Sequence, residues 1–188
     1  MIISMEVSNM SKKEYIKYNN DIKINKFHIP RWSELPNIDI YLDQLVTYIE
    51  NYLNPYIGSE ENPVITKTMI NNYVKQHVIS APEKKKYSKE HIAYLFVICT
   101  LKQVYSISNI SSLISFAGNI SNLVVAYDQF CLELENAVMA VFTDKDYEIT
   151  SAISIEHKLL KSVVLSFAHK LYVEKAFLAG KEKEKNKN

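Results

Sequence analysis

The chain has 188 residues, 47% hydrophobic and 23% charged, with a net charge of +1, a make-up that excludes a disordered chain and suits an ordinary globular one. No run of about 18 apolar residues occurs, so no membrane span is expected, and no basic stretch leads into a long apolar one at the start, so a cytoplasmic protein is expected. The three glycines, at 58, 118 and 180, are too few for a phosphate-cradling loop or a series of tight β-turns.

Residues 1–30 read as a loosely ordered polar arm with one helical turn near Lys12–Tyr18. Ile40, Leu42, Leu45, Val46, Ile49 and Leu53 then recur at helical spacing, with Pro36 and Asn37 or Asp39 as the start signal. "NPYIGSEENP" is a loop on its turn chemistry, spanning Asn54–Val64. Thr66 caps a helix over 66–78 whose buried stripe is Met69, Ile70, Tyr73 and Val74. Its outward positions are Lys67, Thr68, Asn71, Asn72, Lys75 and Gln76. Pro82 stops that helix, and Ala81–Tyr87 is the one place where a two-stranded wing fits.

Ser88 caps a strongly apolar helix over Lys89–Val104. "SISNISSLISF" gives a short fourth helix, capped by Ser106 or Ser108 and ended by Gly118. Two longer helices follow, with stripes Leu123, Ala126, Phe130, Leu134, Val138, Val141 and Leu160, Val163, Val164, Phe167, Leu171. The polar "TDKDYEITS" separates them as the turn of a C-terminal helical hairpin, and the charged tail, 180–188, is expected to be disordered. The fold expected is therefore mainly α.

The small net charge hides strong segregation. Trp32–Asn62 carries six acids and no Lys or Arg, whereas Pro63–Gln103 carries seven lysines against two glutamates, a balance of +5. Residues 118–157 return to −6 and 158–188 swing back to +5. The basic segment contains the Asn- and Lys-rich helix and the run Lys84, Lys85, Lys86. Asn can bond an adenine edge bidentately, and Lys reaches guanine or phosphate. Lysines in a flanking loop set register on the phosphates without reading sequence.

The stretch "TKTMINNYVKQHVISAPEKKKYSKEHIAYLFVICTLKQVYSISNISSLI" resembles the DNA-binding headpiece of MerR-type bacterial regulators. Met69, Ile70 and Tyr73 match the apolar and Tyr positions of that family's second helix, and Val78–Ile79 its following apolar pair. Lys85 lies near the wing Arg, Tyr87–Ser88 match the Tyr-Thr pair, and Tyr105–Ser106–Ile107 with Ile110 match the last segment. "RWSELPNIDIYLDQ", "MINNYVK" and "KKYSKEHIAYL" are similar to a bacterial family of uncharacterised, MerR-related proteins, over roughly residues 30 to 135. Two positions depart from the headpiece pattern: Asn71–Asn72 replace its Arg-Tyr pair, and His77 stands where it has Gly.

The resemblance implies a winged helix-turn-helix domain over 31–118, followed by a C-terminal helical region over 119–179 for dimerisation or effector binding. It implies a transcriptional regulator bound to double-stranded DNA through Lys67, Thr68, Asn71, Asn72 and Lys75 in the major groove. Lys84, Lys85 and Lys86 would lie on phosphate. The two long C-terminal helices would pair with a second copy.

Other chemistry is not expected. The five histidines do not converge in a metal-ligand spacing, no nucleophile–base arrangement appears, and no cofactor is implied. Cys99 and Cys131 sit in apolar helical patterns and read as buried thiols rather than redox sensors. Two other functions fit the same residues: a protein-interaction module that keeps the scaffold without binding DNA, and a sensor whose C-terminal helices enclose a small molecule.

Overall fold

The computed structural model describes residues 24–59, 62–147 and 154–185, with side chains as far as residue 176. Two single-turn 3-10 helices, Ile24–Lys26 and Trp32–Glu34, lead to a two-residue strand β1 (Ile40–Tyr41). Helices α1 (Leu42–Ile57) and α2 (Lys67–Lys75) follow, then strand β2 (Lys86–Tyr87) and helices α3 (Lys89–Leu101), α4 (Ile107–Ile120), α5 (Leu123–Thr143) and α6 (Ile155–Lys185). The strands pair antiparallel, Ile40 opposite Tyr87 and Tyr41 opposite Lys86. The protein is mainly helical, as its periodicity predicts.

Helix α3 organises the packing because it is apolar all round. Ile92, Ala93, Leu95, Phe96, Ile98, Cys99 and Leu101 are all buried, and α3 touches α1, β2, α4, α5 and α6. On α1, Leu45, Ile49, Leu53 and Tyr56 fall on one face and point into this core. Each such side chain contributes about 1.5–3 kcal/mol on burial. The buried residues form one cluster from Ile24 to Leu171, which runs straight across the expected boundary at 118. Cys99 and Cys131 are free and buried, and burial pushes both thiols up to about 12.

Several expectations need correction, beginning with the helix ends. Helix α1 does not end before Asn54 but carries Pro55 in its last turn and stops at Gly58. Tyr56 is buried there and its hydroxyl donates to the Lys26 carbonyl at 2.7 Å, so tertiary contact outweighs the proline signal. Gly118 does not terminate α4, which runs on to Ile120 and gives way to Asn122, the cap of α5. The tail expected to be disordered is helical as far as Lys185.

The fourth correction concerns the C-terminal hairpin. Phe142, at the end of α5, meets Tyr172, well inside α6, with ring centroids 5.3 Å apart. Leu123 and Ala126 at the start of α5 line the same groove as Glu156 and Leu160 at the start of α6. The two helices therefore run side by side in the same direction. The return begins at once, since Tyr147 already bonds Glu133, ten residues before α5 ends at Thr143. Eleven connecting residues, 144–154, reach about 36 Å when extended, enough to span the roughly 31 Å of α5.

The last part of the expected polar arm, 24–30, is instead strapped to the body; Lys12–Tyr18 lies outside the described residues. Ile24, Phe27 and Ile29 are buried, and Phe27 packs edge-on to Tyr56 at 4.8 Å. Glu135 of α5 accepts from the Ile29 N–H at 2.9 Å and from both terminal nitrogens of Arg31 at 2.8 and 2.5 Å. The bonds from Arg31 to Glu135 hold the guanidinium above its ordinary value. Asp128 accepts from the Trp32 N–H at 2.6 Å, and the buried Tyr127 hydroxyl donates to the Pro30 carbonyl at 2.8 Å. Polar side chains of α5 thus satisfy backbone groups that no sheet or helix pairs. Glu135→Ala leaves Arg31 and the Ile29 N–H without their partner, and we expect it to lower unfolding free energy by about 2–3 kcal/mol in urea titration. A loss below roughly 0.5 kcal/mol would mean the strap is not structural.

Candidate nucleic-acid interface

The second helix is short and firmly bounded. The Thr66 hydroxyl accepts from the Met69 N–H at 3.1 Å, as its sequence position predicts. Ile70 and Tyr73 point inward and are buried, with Met69 and Val74 packed beside them. That leaves Lys67, Thr68, Asn71, Asn72 and Lys75 exposed together on the opposite face.

Helix α2 ends sooner than the expected 66–78, at Lys75. His77 takes a left-handed conformation with φ 55°, its N–H donating to the Val74 carbonyl at 3.0 Å and the Val78 N–H to the Tyr73 carbonyl at 2.9 Å. This is the pattern that usually carries glycine after a helix. The turn throws Ile79 back into the core and leaves His77 exposed at the end of the polar face.

The two-stranded wing expected within Ala81–Tyr87 is not formed there; the segment makes one tight turn, and its strand, Lys86–Tyr87, pairs instead with Ile40–Tyr41. The Lys86 N–H donates to the Glu83 carbonyl at 2.8 Å, and the two residues between, Lys84 and Lys85, have φ of 48° and 65°. Two successive left-handed residues define a type I′ hairpin turn, which favours Asn-Gly. Holding two lysines there costs on the order of 1 kcal/mol each. In return, both residues are exposed to solvent. Strand β2 follows immediately and rests on β1.

One buried histidine closes both ends of this wing. The His91 Nδ1 accepts from the Ser88 N–H at 3.0 Å, so its Nε2 carries the proton and faces the Ser80 carbonyl at 3.2 Å. Its ring also meets Tyr87 edge-on, with centroids 5.4 Å apart. Sequence reading took His91 only as one of five histidines that form no metal-ligand spacing. The signal was present, because it stands three residues after Ser88, where a capping box has its reciprocal acceptor.

The eight residues expected to contact DNA divide by their present partners. Thr68, Asn71, Asn72 and Lys75 on α2, with Lys84 and Lys85 in the turn, are exposed. Among the described residues, no ion pair or side-chain hydrogen bond holds these six. Lys67 pairs with Asp43 at 2.5 Å, both side chains being largely exposed, so the pair opens at little cost. Lys86 is half-buried and lies over the Tyr41 ring at 5.3 Å, committed to the β1–β2 contact rather than to solvent. Lys89 similarly lies over Trp32, whose ring also meets Tyr127 of α5. Among the described residues no group of His, Cys, Asp or Glu could hold a metal ion, and no helix is long and apolar enough to cross a membrane.

The model of a domain of unknown function, DUF1836, matches residues 30–130. The chain belongs to the DUF1836 family. That match begins at the strap and ends within α5, so it takes in the polar face of α2, the wing and the whole of α3. No curated protein and no solved structure matches the chain.

The cost of the turn is open to measurement. Replacing Lys84–Lys85 with Asn-Gly supplies the residues that the backbone prefers. We expect the unfolding free energy to rise by about 1 kcal/mol or more in denaturant titration. A fall would show that the lysine side chains stabilise the fold in a way the left-handed backbone does not reveal.

Proposed function

We propose that this protein binds double-stranded DNA as a regulator of transcription, through a winged helix-turn-helix of MerR-like kind. Helix α2 enters the major groove and the Lys84–Lys85 turn grips phosphate. The observation that carries this reading is the pairing of a polar helix face having no partner within the protein with a strained turn that displays two lysines beside it. Strain of this sort is kept where display of a side chain matters more than stability. The resemblance of the segment around α2 and α3 to MerR-type headpieces supports the same reading.

Roles within the face follow from chemistry. Asn71 and Asn72 are the candidates for reading base edges, since an amide offers a donor and an acceptor side by side. Lys75, Lys84 and Lys85 are candidates for phosphate, and Lys67 joins them once Asp43 releases it. Lys86 has a smaller part than the run of three lysines implies, because it serves the β1–β2 contact.

The Asp43–Lys67 pair also favours a second reading, an interaction module on the same scaffold. Asp39 and Asp43 flank the strand that carries the wing, and an acidic flank weakens attraction to phosphate.

Binding of the pure protein to mixed genomic DNA fragments over a salt series separates the two. On the DNA reading, log affinity falls linearly with log salt, and Lys84→Glu/Lys85→Glu lowers affinity and flattens the slope by roughly 2. Asn71→Ala leaves the slope unchanged and relaxes sequence preference. No binding at low salt, or equal binding by the double variant, would contradict the DNA reading and favour the interaction module.

A further inference from the structure

We propose that His91 is the positioning residue of the lysine turn: its buried ring fixes the shape that presents Lys84 and Lys85 to phosphate, without touching DNA itself. Strained backbone persists only where its surroundings over-determine it. Lys84 and Lys85 hold φ of 48° and 65° in succession, a conformation that lysine does not choose unaided. Little inside the segment enforces it. The Lys86 N–H donates to the Glu83 carbonyl, but Pro82 has no N–H to offer. Strand β2 adds two residues, paired to the two of β1.

His91 supplies the remaining hold. It sits in the first turn of α3 and is 7% exposed. The segment 81–87 leaves the body at Ser80 and returns to it at Ser88. Nδ1 of His91 accepts from the Ser88 N–H at 3.0 Å, and Nε2 faces the Ser80 carbonyl at 3.2 Å and its hydroxyl at 3.0 Å. Among the described residues it is the one side chain bonded to both serines. A neutral imidazole is rigid and carries one donor and one acceptor, so it keeps the two roots of the turn at a fixed separation. Buried Tyr87 closes edge-on against the same ring. A residue needed only to cap α3 would bond Ser88 alone. The bond to Ser80 serves the turn.

A loose turn would still carry two lysines but would have to order them on meeting phosphate, which weakens affinity. That effect rests on the DNA-binding reading, whereas the hold on the turn can be read without DNA. His91→Leu removes both bonds, and His91→Gln offers an acceptor and a donor at a position where capping boxes carry Gln. In hydrogen exchange without DNA, the Lys86 amide should exchange roughly tenfold faster or more in the leucine variant, and near the native rate in the glutamine variant. The Ile70 amide of α2, bonded to the Thr66 carbonyl, should not change.

With mixed genomic DNA fragments, the leucine variant should bind about tenfold more weakly and the glutamine variant nearly as the native chain does. Adding His91→Leu to a Lys84→Ala/Lys85→Ala chain should cost nothing further, because no lysines are then left to present. A histidine of purely structural value would cost the same on either background. Should the leucine variant not fold, nitrogen NMR of the native chain in mildly alkaline buffer decides, with the Nε2–H tautomer expected for His91. Equal Lys86 exchange in native and leucine chains, an Nδ1–H tautomer, or a further loss on the alanine background would overturn the proposal. A native chain that binds no DNA even at low salt would remove the regulator reading and the effect on affinity with it. The exchange result would then still decide whether His91 holds the turn.

Discussion

Everything in this fold leans on α3, a helix buried along most of its length. Along α3 almost every turn presents apolar groups in all directions, from Ile92 to Leu101, so the helix is stable only when enclosed. Helix α1 and β2 cover part of it, and α4, α5 and α6 cover the rest. The consequence is mechanical. The polar face of α2 and the wing cannot move far from the C-terminal helices without exposing α3, so both are parts of one body with one core.

The strap makes that enclosure tighter. Residues 24–35 run between α1 and α5, tied to α1 through Tyr56 and to α5 through Tyr127, Asp128 and Glu135. Trp32 reaches Tyr127 on one side and lies under Lys89, the first residue of α3, on the other. The start of α3 is also where Ser88 and His91 close the wing.

Much of this was legible in the sequence because it depends on neighbours only three or four residues away. Thr66 and Ser106 act as caps and Ile70 and Tyr73 turn inward, all by local rules, whereas the early reversal at His77 was missed. Strand structure near Lys86–Tyr87 was expected, but its partner, Ile40–Tyr41, read as part of a helix. What was not legible depends on distant partners. Pro55 stays in α1 because Tyr56 finds Lys26, and 24–30 is ordered because Glu135, more than a hundred residues away, accepts its backbone N–H. The parallel course of α5 and α6 was hidden for the same reason. A polar connection reads as a turn, whereas the Phe142–Tyr172 contact and the groove shared by the starts of both helices show their common direction. Sequence could not show the present partners of the eight candidate residues; Asp43 and Tyr41 come from earlier elements and hold Lys67 and Lys86.

On the proposed function, one exposed surface, α2 with the Lys84–Lys85 turn, meets DNA. The most direct test is an amide NMR footprint of the protein titrated with a short DNA duplex. The account predicts that the largest shifts fall on residues 67–77 and 83–86, with the buried amides of α3 nearly still. Shifts centred on α4 and the start of α5, or no shifts at low salt, would contradict it.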